Sequence, residues 1–144
     1  MLRFLLTIVI ALIAAPVVFL TTPAAAEHTV DTRYVVLGFV KDAKGNPLSG
    51  RDVDVVRDKT GLTYPGRTDE EGLFVIVVRL GDESAGETLT VRVGQAQTTV
   101  TARFDPADHT HDRGTRVDLD GARLVERTSA FQPTLARFVG DKRH

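Results

Sequence analysis

The 144-residue chain contains no cysteine and no tryptophan, one methionine and only 6% aromatic residues. Without cysteine it can build neither a disulfide framework nor a thiolate metal site, and it cannot be a lipoprotein, which is acylated on a cysteine. An excess of one charge is also lacking, since 18 Lys and Arg face 19 Asp and Glu. A broad electrostatic footprint for nucleic acid is thereby excluded. Apolar residues crowd the first 26 positions, which hold 20 of the 61 in the chain. The remaining 118 residues are about 35% apolar, low for a packed domain, and the core must be small.

The N-terminal concentration has a recognisable order. Arg3 is the only charge before Glu27, an apolar run extends from Phe4 to Leu20, and the segment closes on Pro23-Ala24-Ala25-Ala26. That is the charged start, apolar centre and small-residue cleavage site of a secretory signal peptide, and it predicts a mature N-terminus at Glu27. The alternative is an uncleaved membrane anchor, because roughly 20 apolar residues span a bilayer. Either way residues 27–144 act outside the cytoplasm, periplasmic or secreted in one case and membrane-anchored in the other. The chain then divides into residues 1–26, an arm at 27–33, a sandwich at 34–126 and a tail at 127–144.

From Tyr34 onward, short runs rich in Val, Thr, Leu and Phe are separated by Gly, Pro and Asp, the pattern of an all-β sandwich. The expected strands are Tyr34 to Lys41, Arg51 to Arg57, Leu73 to Leu80, Thr88 to Val93, Thr98 to Phe104 and Arg116 to Asp120, with Ala122 to Val125 as a seventh. In Arg51-Asp52-Val53-Asp54-Val55 the valines point inward and the aspartates outward. Leu73 to Val78 is apolar on both faces, which predicts a central strand or one covered by another element.

Two turns are strongly marked. Lys44-Gly45-Asn46-Pro47 combines a glycine able to take positive φ with an Asn before Pro, and Thr68-Asp69-Glu70-Glu71-Gly72 offers Asp69 as an acceptor for backbone N–H groups and Gly72 as the closing residue. With their flanks, Gly38 to Val55 and Thr68 to Phe74, these segments resemble the carboxypeptidase regulatory-like domain in the order and spacing of its two turn motifs. The resemblance covers residues 38–76 and implies a seven-stranded Greek-key sandwich of the transthyretin-like type, without catalysis of its own. The collagen-adhesin B-type relatives of that sandwich cross-link Lys to Asn, and Asn46 is the only Asn in this chain. The family's Pro-Gly-x-Tyr segment has no counterpart, so the C-terminal half is assigned by pattern alone.

The one metal-like spacing is His109-Thr110-His111. Alternate side chains of an extended segment point the same way, and two imidazoles with nearby carboxylates suit Zn or Cu. A third ligand could come from Asp105, Asp108 or Asp112, or from His28 beside the amine that cleavage creates. A remoter resemblance is to the intradiol ring-cleaving dioxygenases, which hold iron through two Tyr and an H-x-H pair; Tyr34, Tyr64, His109 and His111 supply those residue types. That family places a ligand Tyr shortly after the strand begun by Leu73, and none stands there. G-x-S-x-G and H-E-x-x-H are absent.

In the tail, Phe131, Leu135, Phe138 and Val139 recur at helical spacing over 129–139, with Pro133 suited to a first turn and Gly140 to a C-cap. Phe131, Leu135 and Phe138 are either packed on the sandwich or the docking residues for a protein partner in the cell envelope or a second copy. The sequence as a whole reads as an exported, non-catalytic binding or scaffolding module, an accessory subunit rather than an enzyme. It predicts no nucleic-acid partner, and membrane contact only if residues 1–26 stay uncleaved. The alternative is a periplasmic Cu/Zn-binding protein using His109 and His111, and a degenerate intradiol dioxygenase-like enzyme is the remote one.

Overall fold

Alternation along the first strand dictates two layers of cover. In β1 (Arg33–Lys41), Tyr34, Val36 and Val40 face one way, and Val35 and Leu37 face the other; all are buried. A strand apolar on both faces needs an element on each side. The computed structural model, which describes residues 32–141, supplies them: a second sheet covers the first face and a C-terminal helix the other.

Among the described residues, eight strands form two four-stranded sheets. After β1 come β2 (Asp52–Arg57), β3 (Leu62–Arg67), β4 (Leu73–Arg79), β5 (Thr88–Val93), β6 (Ala96–Thr101), β7 (Arg113–Asp120) and β8 (Arg123–Glu126). One sheet has the order β4-β1-β7-β8 and the other β3-β2-β5-β6. All neighbours are antiparallel except β1 and β7, which run parallel at the centre of the first sheet. The core lies between the sheets, where Phe74, Ile76 and Val78 meet Val53, Val55, Leu89, Val91 and Val100.

The parallel pairing has an interruption. Leu37 lies opposite Arg116 and Val40 opposite Leu119, and between them the Phe39 amide donates to Asp118 Oδ1 at 2.9 Å. Gly38 permits this approach, because a Cβ there would stand 1.6 Å from the Val117 carbonyl oxygen. Only glycine fits so close to another backbone.

Several expectations need correction. The sandwich has eight strands, not seven, because Leu62–Arg67 is a strand that the sequence reading passed over. It carries Pro65 and Gly66, which are poor strand residues, but β3 is an edge strand, where a missing N–H is tolerated. β6 begins at Ala96 and ends at Thr101 rather than running to Phe104, and β7 begins three residues early, at Arg113. The signal or anchor at residues 1–26 lies outside the described residues. Among the described residues no helix is long and apolar enough to cross a membrane.

The tail folds back on its own sandwich. A 3₁₀ turn at Thr128–Ala130 leads into α1 (Phe131–Asp141), which continues through Gly140 instead of capping there. Phe131 is 3% exposed against Val35 and Leu37, and Val75 and Leu135 pack around them. The Phe131 ring lies over Gly114, where a Cβ would be 2.4 Å from it. Of the three proposed partner-docking side chains, then, Phe131 is buried and Leu135 half-buried within the chain itself, and Phe138 stays half-exposed. Phe131→Ala is expected to cost about 3–5 kcal/mol in urea unfolding, the range for emptying a buried Phe site. Truncation after Arg127 should destabilise further, as it uncovers Val35 and Leu37.

Candidate functional site

The loop from Ala102 to Asp112 takes its shape from its own aspartates. Asp105 Oδ1 accepts the Ala107 amide at 2.9 Å, and Asp108 Oδ1 accepts the amide and hydroxyl of Thr110 at 2.9 and 2.8 Å. Such Asx turns satisfy backbone donors where no sheet partner is available. The backbone and hydroxyl bonds from Thr110, followed by the His111 side chain, hold the Asp108 carboxyl well below the usual carboxylate range. Asp108 Oδ2 lies 2.8 Å from His111 Nδ1. An anionic acceptor there fixes the imidazole proton on Nδ1 and leaves the lone pair on Nε2.

His109 takes different partners. Its Nε2 is 2.7 Å from the Pro106 carbonyl oxygen and 3.4 Å from Asp82 Oδ2. The expectation that both histidines point the same way fails because residues 105–111 form turns and not a strand. Among the described residues, no three His, Cys, Asp or Glu side chains come together to hold a metal ion. Asp105, Asp108, His111 and Asp112 nevertheless border one cleft of about 210 Å³, with Phe104 and Phe131 also in its wall.

What positions the loop was not legible in its sequence. Arg113, 5% exposed, lies with its guanidinium 4.3 Å from the Phe104 ring centre and donates from Nη1 to Asp82 Oδ1 at 2.9 Å. Its Nη2 donates to the Asp108 carbonyl at 3.2 Å. Asp82 stands in a 3₁₀ turn, Asp82–Ser84, that is strapped to the second sheet: Arg57 Nε and Nη2 make a bidentate pair with Glu87 at 2.8 and 2.7 Å, and Nη2 reaches Ser84 Oγ at 3.2 Å. The hydrogen bonds from Arg57 are the main reason the Glu87 carboxyl falls to about 2. Charge-assisted, bidentate pairs of this kind fix geometry as well as energy.

The marked turns lie at the other end of β1 and take no part in this site. Asp42 Oδ1 accepts the Lys44 and Asn46 amides, both at 2.9 Å, around Gly45, and Pro47 bridges back to Lys41. Asp69 Oδ1 accepts the Glu71 and Leu73 amides. Gly72, at φ 76°, admits the Val40 carbonyl where a Cβ would be 2.6 Å away.

An iron centre of two Tyr and two His does not fit. Tyr34 is 1% exposed in the closed core, and burial, aided by Glu126, pushes its phenol up to about 12, the neutral form. Tyr64 belongs to β3, at the edge of its sheet opposite to β6, from which the histidine loop departs.

No family model and no curated protein matches the chain. Among solved structures it is similar to the dioxygenase domain of a dioxygenase carbohydrate-binding protein fusion from the cellulolytic bacterium Streptomyces sp. SirexAA-E, at 17% identity over 71% of this chain and 80% of that one, TM-score 0.40. It is similar to a chlorocatechol 1,2-dioxygenase from Pseudomonas putida, at 13% identity over 78% and 69%, TM-score 0.39. A 9R-lipoxygenase from Cyanothece PCC8801 matches at 18% identity over 69% of this chain and 18% of that one, TM-score 0.36. At these values the likeness transfers no activity and no residue role.

These findings overturn the carboxypeptidase regulatory-like assignment and the transthyretin-like Greek key with it, since no family model supports either and the similar structures are dioxygenases and a lipoxygenase. The exclusion of catalysis, which rested on that resemblance and on absent catalytic motifs, and the accessory, scaffolding role are both withdrawn. The all-β two-sheet sandwich remains.

The Arg57–Glu87 strap makes the acid stability of the loop end testable. A carboxyl lowered from 4.5 to about 2 in the folded state contributes stability that is complete above the unfolded value and lost as pH falls through the folded one. Glu87→Gln should therefore melt below wild type at neutral pH, and the gap should close between pH 4.5 and 2 in a calorimetric series.

Proposed function

We propose that the chain is exported and captures a late first-row divalent metal ion, copper or zinc, at its 105–112 loop, with His111 as the anchoring ligand. The observation that carries this reading is the 2.8 Å contact between His111 Nδ1 and Asp108 Oδ2. Metal-binding histidines are commonly oriented in this way by a carboxylate on the second ring nitrogen, which fixes the tautomer and raises the basicity of the ligating one. The His111 side chain is 76% exposed, so an ion can reach it. Imidazole with carboxylate or water oxygens suits Zn and Cu better than Mg or Ca.

Among the described residues no group of three ligands stands ready around His111, so the remaining positions are filled by water or from outside residues 32–141. His28 and the amine of Glu27, which signal cleavage would expose, have the chemistry for Cu(II). Export is supported by the order of residues 1–26, and mass analysis of the exported chain should place its N-terminus at Glu27.

The metal reading is tested by titrating the purified chain with Zn or Cu in a calorimeter and in thermal melts. Binding near one equivalent and a raised melting temperature are expected, because an ion bound only by the native state stabilises it by mass action. His111→Ala should abolish both effects while leaving the metal-free melting temperature close to wild type. Absence of binding in wild type, or binding that survives His111→Ala, would defeat the proposal.

A further inference from the structure

The chain has four histidines, and the fold treats them unequally. His111 presents its ring at an exposed position, with Nδ1 committed to Asp108 at 2.8 Å. His109 turns Nε2 to the Pro106 carbonyl at 2.7 Å and to Asp82 at 3.4 Å. Within one chain, a second imidazole for an ion at His111 must come from His28 or His144, both outside the described residues. α1 decides against His144. Its first turn stands at the loop, where Phe131 and Gln132 line the cleft with His111 and Gln132 Nε2 donates to the Asp112 carbonyl at 2.8 Å. Its last residue, Asp141, lines a separate groove beside the helix with Phe39, Asp69 and Glu71. The 11 residues of α1 cover about 16 Å, whereas the backbone from Asp141 to His144 spans at most about 11 Å and cannot retrace them.

His28 belongs to the segment that enters β1 beside the loop. β1 and β7 run parallel with Tyr34 opposite Arg113, and Thr32 and His111 each stand two residues before that pair. Paired strands lie about 4.8 Å apart and two residues span at most about 7 Å, so Thr32 and His111 are within about 19 Å even where the two paths diverge. Thr32 is a fixed point, because its carbonyl accepts the Leu80 amide at 3.2 Å. From there the backbone to His28 extends up to about 14 Å, and each imidazole adds its own length. The one histidine able to join His111 is therefore carried by the segment that the sheet pairing delivers next to it.

We propose that His28 is the second ligand of the ion held by His111, so that metal capture ties residues 27–31 to the 105–112 loop. The inference rests on the metal reading above. It does not rest on cleavage, because His28 stands four residues before Thr32 whether or not residues 1–26 are removed. A ligand carried on so short an arm acts at an effective concentration on the order of millimolar, so its attachment follows that of His111 as an intramolecular step. Imidazole nitrogen is a ligand that both Zn and Cu accept.

The test is a Zn titration of the chain as purified, with calorimetry reading affinity and nitrogen NMR of the imidazoles reading ligand identity. At saturation the ring nitrogens of His28 and His111 should shift together, while those of His144 stay in place. His28→Ala should weaken Zn binding by at least roughly tenfold, the loss that even an outer partner of a ligand carries. His144→Ala should bind as wild type does. Wild-type affinity in His28→Ala, or a His28 signal that Zn leaves unmoved, overturns the inference while the metal reading stands on His111. Weakening by His144→Ala in place of His28→Ala overturns it as well. Loss of binding in His28→Ala with full binding in His111→Ala, or no binding at all, overturns both readings.

Discussion

A single carboxylate, Asp118, ties the central strands to everything that follows them. It is 3% exposed, and it accepts from the Phe39 amide, from Arg116 Nε and Nη2, and from Arg127 Nη1 at 2.6 Å. Burial raises its pKa, but the hydrogen bonds from Arg116, the Phe39 amide and Arg127 outweigh that and hold it below the usual carboxylate range. Removing a charge from water costs several kcal/mol unless its lone pairs are filled, and here four donors fill them. The donors come from three pieces of chain, Phe39 in β1, Arg116 in β7 and Arg127 in the segment after β8. Through Arg116, whose Nη1 reaches Thr134 Oγ1 at 3.1 Å, the same network extends to α1.

The path of the helix follows from this. Arg127 also pairs with Asp120 at 2.7 Å, so the chain leaving β8 is held against the end of β7 before the 3₁₀ turn begins. Phe131 then drops onto Gly114, Val35 and Leu37, and Thr134 meets Arg116 one turn later. The helix is short, and an isolated segment of that length is marginal in water. It is ordered by the apolar outer face of β1 and by the charges beside it. Phe39, under the Arg116 guanidinium, becomes the floor of the groove that remains.

The two ends of the sandwich show what turn motifs can and cannot carry. Asp42 and Asp69 each accept two backbone amides around a glycine of positive φ, a local solution to reversing the chain between strands. Any sandwich with such reversals can use it, so the motifs record turn geometry; the family resemblance built on them did not survive comparison. At the opposite end, the Asp105 and Asp108 turns are equally local, but their placement depends on Arg113 and Asp82, 31 residues apart. No spacing rule joins those two positions, because it is the pairing of β1 with both β4 and β7 that brings them together.

Alternation made the faces of β2 legible, because a two-residue period and a buried face leave one register, but it misplaced β4, which is an edge strand with Val77 44% exposed and not a central or covered one. It failed at β3, where Pro65 and Gly66 hide an edge strand, and at residues 105–111, where an H-x-H pair presumed an extended backbone that the aspartates bend into turns. The helical period of Phe131, Leu135 and Phe138 was also visible, but not which surface would receive it. Local patterns of hydrogen bonding and polarity are written in neighbouring residues, and the sequence by itself determined those: the strands, the turns and the amphipathic tail. Which strand lies beside which, that Gly38 must admit the Val117 carbonyl, that Asp118 collects its donors and that Phe131 closes on β1 were decided only by the tertiary structure. These depend on contacts between residues far apart in the chain, whose free energy exists only once both sheets and the helix are in place.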